Sequence, residues 1–280
     1  MKDFFSGRRP LRLDALDLPK SWRLCVLAPH PDDFDALGVT LRHFANRGYD
    51  IRLLVLSSSP NGVEDSFCDP PTPEAKAALR EEEQKASCLF FGLSEDRLEF
   101  LRLPVAEPGG FLAAGAEGYS VLRTRLGRLS ADIALLPHGH DTNPDHRLAY
   151  FWWARLAAEL PRPRTAWLAR DPKTIDMRDD AYVPFDEAAA RWKAELLRFH
   201  RSQHQRNLAT RGHGFDERIL SVNRENARRL GIPEPFAESF EIEDRPAPRP
   251  FAGPAEVTRS GAFWAWIKKS RSRRPGWPKN

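Results

Sequence analysis

The feature that most constrains this chain is a buried strand that ends in a histidine and two aspartates. Residues 24–28 are aliphatic and long enough for one buried β-strand. Residues 30–33 then read His-Pro-Asp-Asp, and residues 35–47 place apolar side chains at helical spacing. The polar cluster therefore lies where a strand ends and a helix begins. In open parallel sheets, ligands bind at these carboxyl ends of strands.

Three polar side chains at such a place need a partner. Burying His30, Asp32 and Asp33 costs free energy unless something satisfies them. A divalent metal is the obvious partner, and a His/Asp set suits zinc with one position left for water. The simpler alternative is a helix cap beside a satisfied histidine, because Asp is common at helix starts.

A second cluster of the same kind favours the metal. Residues 133–136 are another apolar run that predicts a buried strand. Residues 137–146 follow with the sequence Pro-His-Gly-His-Asp-Thr-Asn-Pro-Asp-His, and residues 148–160 have helical periodicity. Two strand ends that are both rich in His and Asp form a much stronger signal than either one alone.

The order of elements predicts an α/β fold. Strands are predicted at residues 23–28, 51–56, 98–103, 133–136 and 165–168. Helices are predicted between them at residues 35–47, 74–91, 119–129 and 148–160. This alternation predicts a Rossmann-like, mostly parallel sheet flanked by helices. Further along, a long helix is predicted at residues 185–203 and a short one at 223–230.

Length and composition suit one α/β domain with extensions, since the chain has 280 residues and is 41% apolar. Residues 1–20 are expected to form a surface arm and residues 21–244 the domain. Residues 245–280 are expected to form a Pro-rich linker and a basic, Trp-containing tail. The role of that tail stays open between a packing extension and contact with a membrane surface or polyanion.

The bulk properties also bound the partners and the compartment. No run of 18 apolar residues occurs, so no membrane span is expected. The first residues lack the long apolar core of a signal peptide. The three cysteines, Cys25, Cys68 and Cys88, are expected to be reduced thiols of a cytoplasmic protein. The formal net charge of +4 is modest, so no nucleic acid is expected, and a homo-oligomer stays open.

The two polar clusters resemble the metal motifs of a known family. Residues 30–34, His-Pro-Asp-Asp-Phe, and residues 141–146, Asp-Thr-Asn-Pro-Asp-His, are similar to those of the LmbE/PIG-L zinc-dependent N-deacetylases. Members of that family act largely on N-acetylglucosamine-type sugars. The resemblance spans residues 20–243, with weaker echoes near Arg80, His200 and residues 237–240.

The resemblance implies a catalytic site with one zinc ion per chain. The implied ligands are His30, Asp33 and His146, a set that leaves an open position as catalytic zinc sites do. Asp32 would be the general base, which takes the proton of the attacking water and later delivers it to the leaving amine.

Further residues are candidates around that centre. Asp141 and Asp145 are candidates to orient an imidazole N–H. Asn61 lies in an Asn-Gly turn where the family has Asp-Gly near the substrate, and Arg80 is implied to reach the substrate. His213, in a glycine-flanked loop, is a candidate to line a sugar pocket, with a plain surface histidine as the alternative.

The sequence leaves the family pattern at two positions. Phe34 replaces the glutamate that closes the first motif, and Asn143 replaces the first histidine of the second. In the family that histidine is thought to steady the reaction intermediate. His140, by proximity in the sequence, and His200, by resemblance, are the candidates to take over as catalytic groups.

These observations predict a zinc-dependent hydrolase that removes acetyl from an N-acetylated amino sugar or its conjugate. One alternative is an amidase for another N-acyl substrate. A second is a metal-binding pseudoenzyme, which Phe34 and Asn143 suggest. A third is a nucleotide-binding module, but residues 30–33 are bulky and acidic where pyrophosphate binding needs glycine.

Overall fold

The computed structural model describes residues 4–5, 7–106, 110–162 and 165–244. The strands are β1 (Leu11–Arg12), β2 (Arg23–Ala28), β3 (Asp50–Val55), β4 (Leu98–Phe100), β5 (Val105–Ala106), β6 (Phe111–Leu112), β7 (Ile133–Pro137), β8 (Thr165–Ala169), β9 (Ala181–Phe185) and β10 (Phe236–Asp244). The α-helices are α1 (Gly38–Asn46), α2 (Pro73–Phe91), α3 (Ala116–Leu129), α4 (Pro144–Glu159), α5 (Glu187–Arg198), α6 (Arg201–Arg211) and α7 (Phe215–Leu230).

Eight strands form one sheet in the order β1-β9-β10-β8-β7-β2-β3-β4. All neighbours in it are parallel except β10, which runs antiparallel to both β8 and β9. The run β4-β3-β2-β7-β8 has the Rossmann order 3-2-1-4-5. The predicted α/β, mostly parallel fold is confirmed. The strand order reverses between β2 and β7, so the two polar motifs meet at the switch point, where ligands bind in such sheets.

Helices cover both faces of the sheet because its central strands are apolar on both sides. Leu24 and Val26 of β2 pack into one core cluster with Phe44 of α1. Cys25 of the same strand packs into the other, with Trp153 of α4. Successive strand residues point to opposite faces, so a continuous apolar run is what a doubly covered strand requires.

The N-terminal segment packs closer to the core than the expected surface arm. Leu11 and Arg12 add an edge strand beside β9. Leu13 and Leu18 are buried in the core cluster that contains β2. These leucines are the physical reason for the difference, because they gain from removal from water.

The predicted helix at residues 185–203 is two helices, α5 and α6, which break at His200. The backbone of His200 leaves the helical region with φ −80° and ψ 64°, and its imidazole is fully buried. The helix predicted at residues 223–230 begins earlier, at Phe215. The sequence patterns did not predict β9 and β10.

Two remaining expectations concern membranes and thiols. Among the described residues, no helix is long and apolar enough to cross a membrane. Cys25, Cys68 and Cys88 are free thiols. The predicted linker and tail at residues 245–280 lie outside the described residues.

Candidate metal and active site

The first motif forms a tight turn between β2 and α1. The carbonyl oxygen of Asp32 accepts hydrogen bonds from the backbone N–H groups of Asp35 and Ala36, both at 3.1 Å. Asp32 itself has φ +110°, a value that non-glycine residues rarely adopt and that is found at functional sites. The Asp33 carboxylate accepts from the backbone N–H of His30 at 2.8 Å, so the turn holds both side chains together.

The second motif is the start of α4. Asn143 is the N-cap of this helix, and its Oδ1 accepts a hydrogen bond from Asp145 N at 3.0 Å. The backbone N–H of Asn143 donates to Asp141 Oδ1 at 2.6 Å. His146 therefore lies in the first turn of a capped helix, with a fixed direction toward the first motif.

The two motifs bring His30, Asp33 and His146 into one cluster. His30 Nδ1 lies 3.5 Å from Asp33 Oδ2, and His146 Nε2 lies 3.5 Å from Asp33 Oδ1. One ligand atom from each residue lies within 4.8 Å of the others. Zinc bonds of about 2.0–2.1 Å place tetrahedral ligand atoms roughly 3.3–3.4 Å apart. The spacing therefore fits one metal ion held by these three residues.

The other nitrogen of each imidazole faces an aspartate. His30 Nε2 lies 2.8 Å from Asp145 Oδ2, and His146 Nδ1 lies 3.1 Å from Asp141 Oδ2. Asp145 is itself held by the backbone N–H of Leu112 at 2.7 Å. Carboxylates in this place fix the tautomer and direction of metal-binding histidines. Each ring thus presents its remaining nitrogen to the cluster.

The charges of the cluster also fit a cation. Burial by itself would lower the pKa of His146, but Asp33 and Asp141 outweigh it and raise this pKa well above its usual range. The pKa of His30 is raised in the same way by Asp145 and Asp33, against burial. Burial would raise the pKa of Asp33, and the two histidines lower it well below its usual range. The surplus of carboxylates stabilises positive charge at this place.

Asp32 lies beside the cluster and pairs with Arg80. Arg80 Nη2 lies 3.1 Å from Asp32 Oδ1 and also donates to the carbonyl oxygen of Pro31. The backbone N–H of Asp32 donates to Gln84 Oε1 at 3.0 Å. Burial raises the pKa of Asp32, although Arg80 opposes the shift. Arg80 lines the cavity with its guanidinium engaged with Asp32, and its contact with a substrate stays a prediction.

His200 lies behind the site and does not line the cavity. Its Nε2 is 2.7 Å from Asp35 Oδ2, and both side chains are fully buried. Asp35 Oδ2 also accepts from Gln84 Nε2 at 3.0 Å. A polar chain therefore runs from His200 through Asp35 and Gln84 to the backbone of Asp32. The hydrogen-bonded link between His200 and Asp32 passes through these residues.

Phe34, which stands where the family motif has a glutamate, is a core residue in this structure. Phe34 is fully buried and packs edge-on against Phe91, with ring centroids 5.0 Å apart. The next residue, Asp35, supplies a buried carboxylate at this turn instead. An acidic side chain is thus present one position after the family glutamate, next to the cluster of His30, Asp33 and His146.

His140 and His213 are placed away from the cavity. His140 is exposed, and its backbone N–H donates to His138 Nδ1 at 3.0 Å. His213 is half-buried, and its Nδ1 donates to the carbonyl oxygen of Gly214 at 3.2 Å. Neither lines the cavity that contains the cluster, whereas the predicted residues Asn61 and Asn143 do.

The cavity above the cluster has a volume of about 400 Å³. Sequence reasoning missed several of its lining residues, namely Phe111, Asp171, Lys173, Arg206, Asn207, Phe215 and Arg218, whereas Gln203 lies in the weak family echo that begins at His200. Asp171 had a signal in the sequence, because it comes three residues after the predicted strand at residues 165–168. Its carboxylate forms a second possible metal-binding group with Asp141 and His146.

Comparison with known families supports the predicted resemblance. A family model described as PIG-L, GlcNAc-PI de-N-acetylase, matches residues 25–157, which include both motifs. The LmbE/PIG-L resemblance is confirmed. The LmbE/PIG-L match ends within α4, so β8 and everything after it lie outside it. The comparison with curated proteins gave no match.

Solved structures share the fold at low sequence identity. N,N'-diacetylchitobiose deacetylase from Pyrococcus horikoshii has a TM-score of 0.66 and 18% identity, covering 82% of this chain and 87% of that chain. The zinc-inhibited form of teicoplanin deacetylase has a TM-score of 0.61 and 14% identity, covering 79% and 98%. The 4-carboxy-2-hydroxymuconate hydratase GalB from Pseudomonas putida has a TM-score of 0.61 and 18% identity, covering 82% and 99%. One fold therefore serves deacetylases and a hydratase.

Proposed function

We propose that this protein is a metal-dependent N-deacetylase that acts on an N-acetylated amino sugar or its conjugate. The observation that carries the proposal is the cluster of His30, Asp33 and His146 with Asp32 beside it. The match to the PIG-L family and the deacetylases among the similar structures support the reaction class.

One zinc ion per chain is the proposed cofactor, held by the two imidazoles and the Asp33 carboxylate. Two nitrogens and one oxygen suit zinc and leave a position open. When bound, zinc activates water and polarises the amide carbonyl. Asp145 and Asp141 hold His30 and His146 in the tautomers that this role requires.

Asp32 is the proposed general base. It takes the proton of the attacking water as the C–O bond forms, and it then donates a proton to the leaving amine as the amide C–N bond breaks. A base works best with a pKa near the operating pH, and burial moves the pKa of Asp32 upward in that direction. Arg80 holds the carboxylate in place through its ion pair.

Asn143 is the proposed donor to the oxyanion. Its Oδ1 accepts from the backbone N–H of Asp145, so its Nδ2 amide faces the other way and is the side that can donate. Asn143 lines the cavity, whereas His140 and His200 do not. A neutral amide stabilises the oxyanion less than an imidazolium would, because charge-assisted hydrogen bonds are roughly twice as strong. We propose that His200 instead positions Asp32, through Asp35 and Gln84.

The test is acetate release from a panel of N-acetylglucosamine derivatives by the purified protein, with and without chelator. We expect release that stops on chelation and returns with added zinc. Asp32→Asn should abolish it, whereas Asp17→Asn, which changes an exposed aspartate paired with Arg47, should not.

Three other results would replace the proposal. Release of a different acid from other N-acyl sugars would indicate an amidase of another specificity. Bound metal without release of any acid would indicate a pseudoenzyme. The hydratase among the similar structures makes water addition to unsaturated acids the third reaction to assay, and activity there alone would refute deacetylation.

A further inference from the structure

One wall of the cavity is basic. Lys173 follows β8, Arg206 lies on α6 and Arg218 lies on α7, and all three line the cavity that contains the metal cluster. Their residues come from three separate elements, and each side chain is half-buried. We call these three residues the basic wall.

The basic wall has little internal compensation. Among the residues that the structure describes, no carboxylate lies within ion-pair distance of the side chains of Lys173 or Arg218. Arg206 Nε lies 3.3 Å from Glu64 Oε1, in an exposed pair. Burial lowers the pKa of Arg218, and attraction to Asp171 opposes this shift without cancelling it. Lys173 and Arg218 therefore line the cavity without an ion-pair partner among the residues that the structure describes.

Asp171 acts on the basic wall by charge but forms no direct ion pair with Lys173 or Arg218. Asp171 Oδ1 accepts a hydrogen bond from the backbone N–H of Lys173 at 2.8 Å. The carboxylate also lies within ligand distance of Asp141 and His146, on the metal side of the cavity. Since Asp171 forms no ion pair with them, the ammonium group of Lys173 and the guanidinium group of Arg218 stay available to a ligand.

The family match does not account for this wall. It covers residues 25–157, which hold the metal cluster, Arg80 and Asn143, while the basic wall comes entirely after residue 157. The proposed metal ligands thus lie within the matched region, and the basic wall lies outside it. The basic wall is where this chain can set its own specificity.

We propose that the basic wall binds an anionic group, a carboxylate or a phosphate, carried by the amino-sugar substrate. Arg218 and Lys173 are the main contacts, and Arg206 lies at the outer side. Guanidinium groups bind carboxylate and phosphate oxygens through paired hydrogen bonds, and an ammonium adds a point charge. The cavity volume of about 400 Å³ has room for a sugar and its substituent. This inference rests on the proposed deacetylation.

The test compares pairs of related substrates with and without an anionic group. N-acetylmuramic acid is paired with its methyl ester, and N-acetylglucosamine 1-phosphate with the methyl glycoside. We expect kcat/KM to favour the charged member of at least one pair, and which pair responds identifies the anion. Arg218→Met and Lys173→Met should each reduce this preference by about 10- to 100-fold, the range of hydrogen bonds to charged groups. Arg218→Lys should retain part of it.

Arg228→Met is the matched control. Arg228 lies on the same helix, is largely exposed and pairs with Glu225 three residues away. It should keep the full preference for the charged substrate. Equal kcat/KM for both members of both pairs in the wild type would overturn the inference and leave deacetylation intact.

A binding measurement separates this inference from the proposed reaction. Calorimetry on the Asp32→Asn protein should show tighter binding of the charged member, lost in the double variant with Arg218→Met. If this preference is seen but no substrate releases acetate, the reaction is wrong and the anion site stands. If the charged and neutral members of both pairs bind with equal affinity, the anion site is refuted whatever the activity.

Discussion

Replacing Lys193 tests how the fold holds the metal loop, which is the turn between β2 and α1 that carries the proposed ligands His30 and Asp33. Lys193 is fully buried, and its Nζ donates to Glu238 Oε1 at 2.6 Å, to Asn223 Oδ1 at 2.8 Å and to the carbonyl oxygen of Ala36 at 2.6 Å. These three acceptors use all three donors of the ammonium. Ala36 lies three residues after the proposed ligand Asp33, so this contact ties α5 to the metal loop.

Glu238, the ion-pair partner of Lys193, also binds the start of α1. The Glu238 carboxylate accepts hydrogen bonds from the backbone N–H groups of Val39 at 3.0 Å and Thr40 at 2.8 Å. These are first-turn donors of α1 that have no partner within the helix. A strand residue thus caps the helix that follows the metal loop, and Lys193 balances its charge.

The magnitude follows from this geometry. Lys193→Met keeps the side-chain length but leaves Glu238 buried, with only its two backbone donors. Removing one member of a buried ion pair costs about 3–5 kcal/mol, because the remaining charge is uncompensated. We expect the free energy of unfolding to fall by about that amount. Urea unfolding followed by circular dichroism measures it.

Two variants make the result specific. Lys85→Met, on the surface of α2 where Lys85 pairs with Glu82, should change stability little. Lys193→Met combined with Glu238→Gln removes the orphaned charge and should recover part of the loss. A single variant as stable as the wild type would show that the pair does not hold this region together. A double variant less stable than the single one would show that the charge is not the cause.

Four further outcomes are expected. Metal analysis should find bound zinc sharply reduced by alanine at each proposed ligand, namely His30, Asp33 and His146, and full occupancy in all three variants would contradict that set. Asp32→Asn should retain zinc but lose about 10²–10⁴-fold in kcat, and a near-normal kcat would place the base elsewhere. Asn143→Ala should lower kcat by about 10²–10³-fold with zinc retained, whereas His140→Ala should not, and the reverse result would make His140 the oxyanion donor. Burial by itself lowers the pKa of His200, but attraction to Asp35 outweighs it and raises this pKa above 6.5. The stabilising contribution of His200, measured against His200→Asn, should therefore be complete below pH 6.5 and be lost as the pH rises through the raised pKa. In urea unfolding, a constant difference in the free energy of unfolding between pH 5 and 9 would refute this.

The grouping of His30, Asp33 and His146 and the fold could be predicted from the sequence because their signals are local. Each motif follows its own apolar strand and precedes its own helix, and both features appear within a few residues. The parallel alternation of strands and helices then places β2 and β7 side by side at the switch point. His30, Asp33 and His146 are brought together by those two strand ends alone.

The roles of the other histidines could not be predicted in the same way. His140 is three residues from Asn143 in the chain, yet the turn that follows β7 leaves it exposed and outside the cavity. His200 lies in what reads as one amphipathic helix, and only packing against Asp35 shows that the helix breaks there. Proximity along a chain does not fix the direction of a side chain in a loop.

The basic wall was decided only by the tertiary structure. Lys173, Arg206 and Arg218 are separated by other elements, and as sequence each one reads as an ordinary surface charge. They meet because α6 and α7 pack together beside the carboxyl ends of the strands, which depends on contacts between distant residues. Local sequence patterns predict most of the strands and helices of this protein and the two polar motifs at residues 30–34 and 141–146. The basic wall of the cavity exists only once those helices have packed.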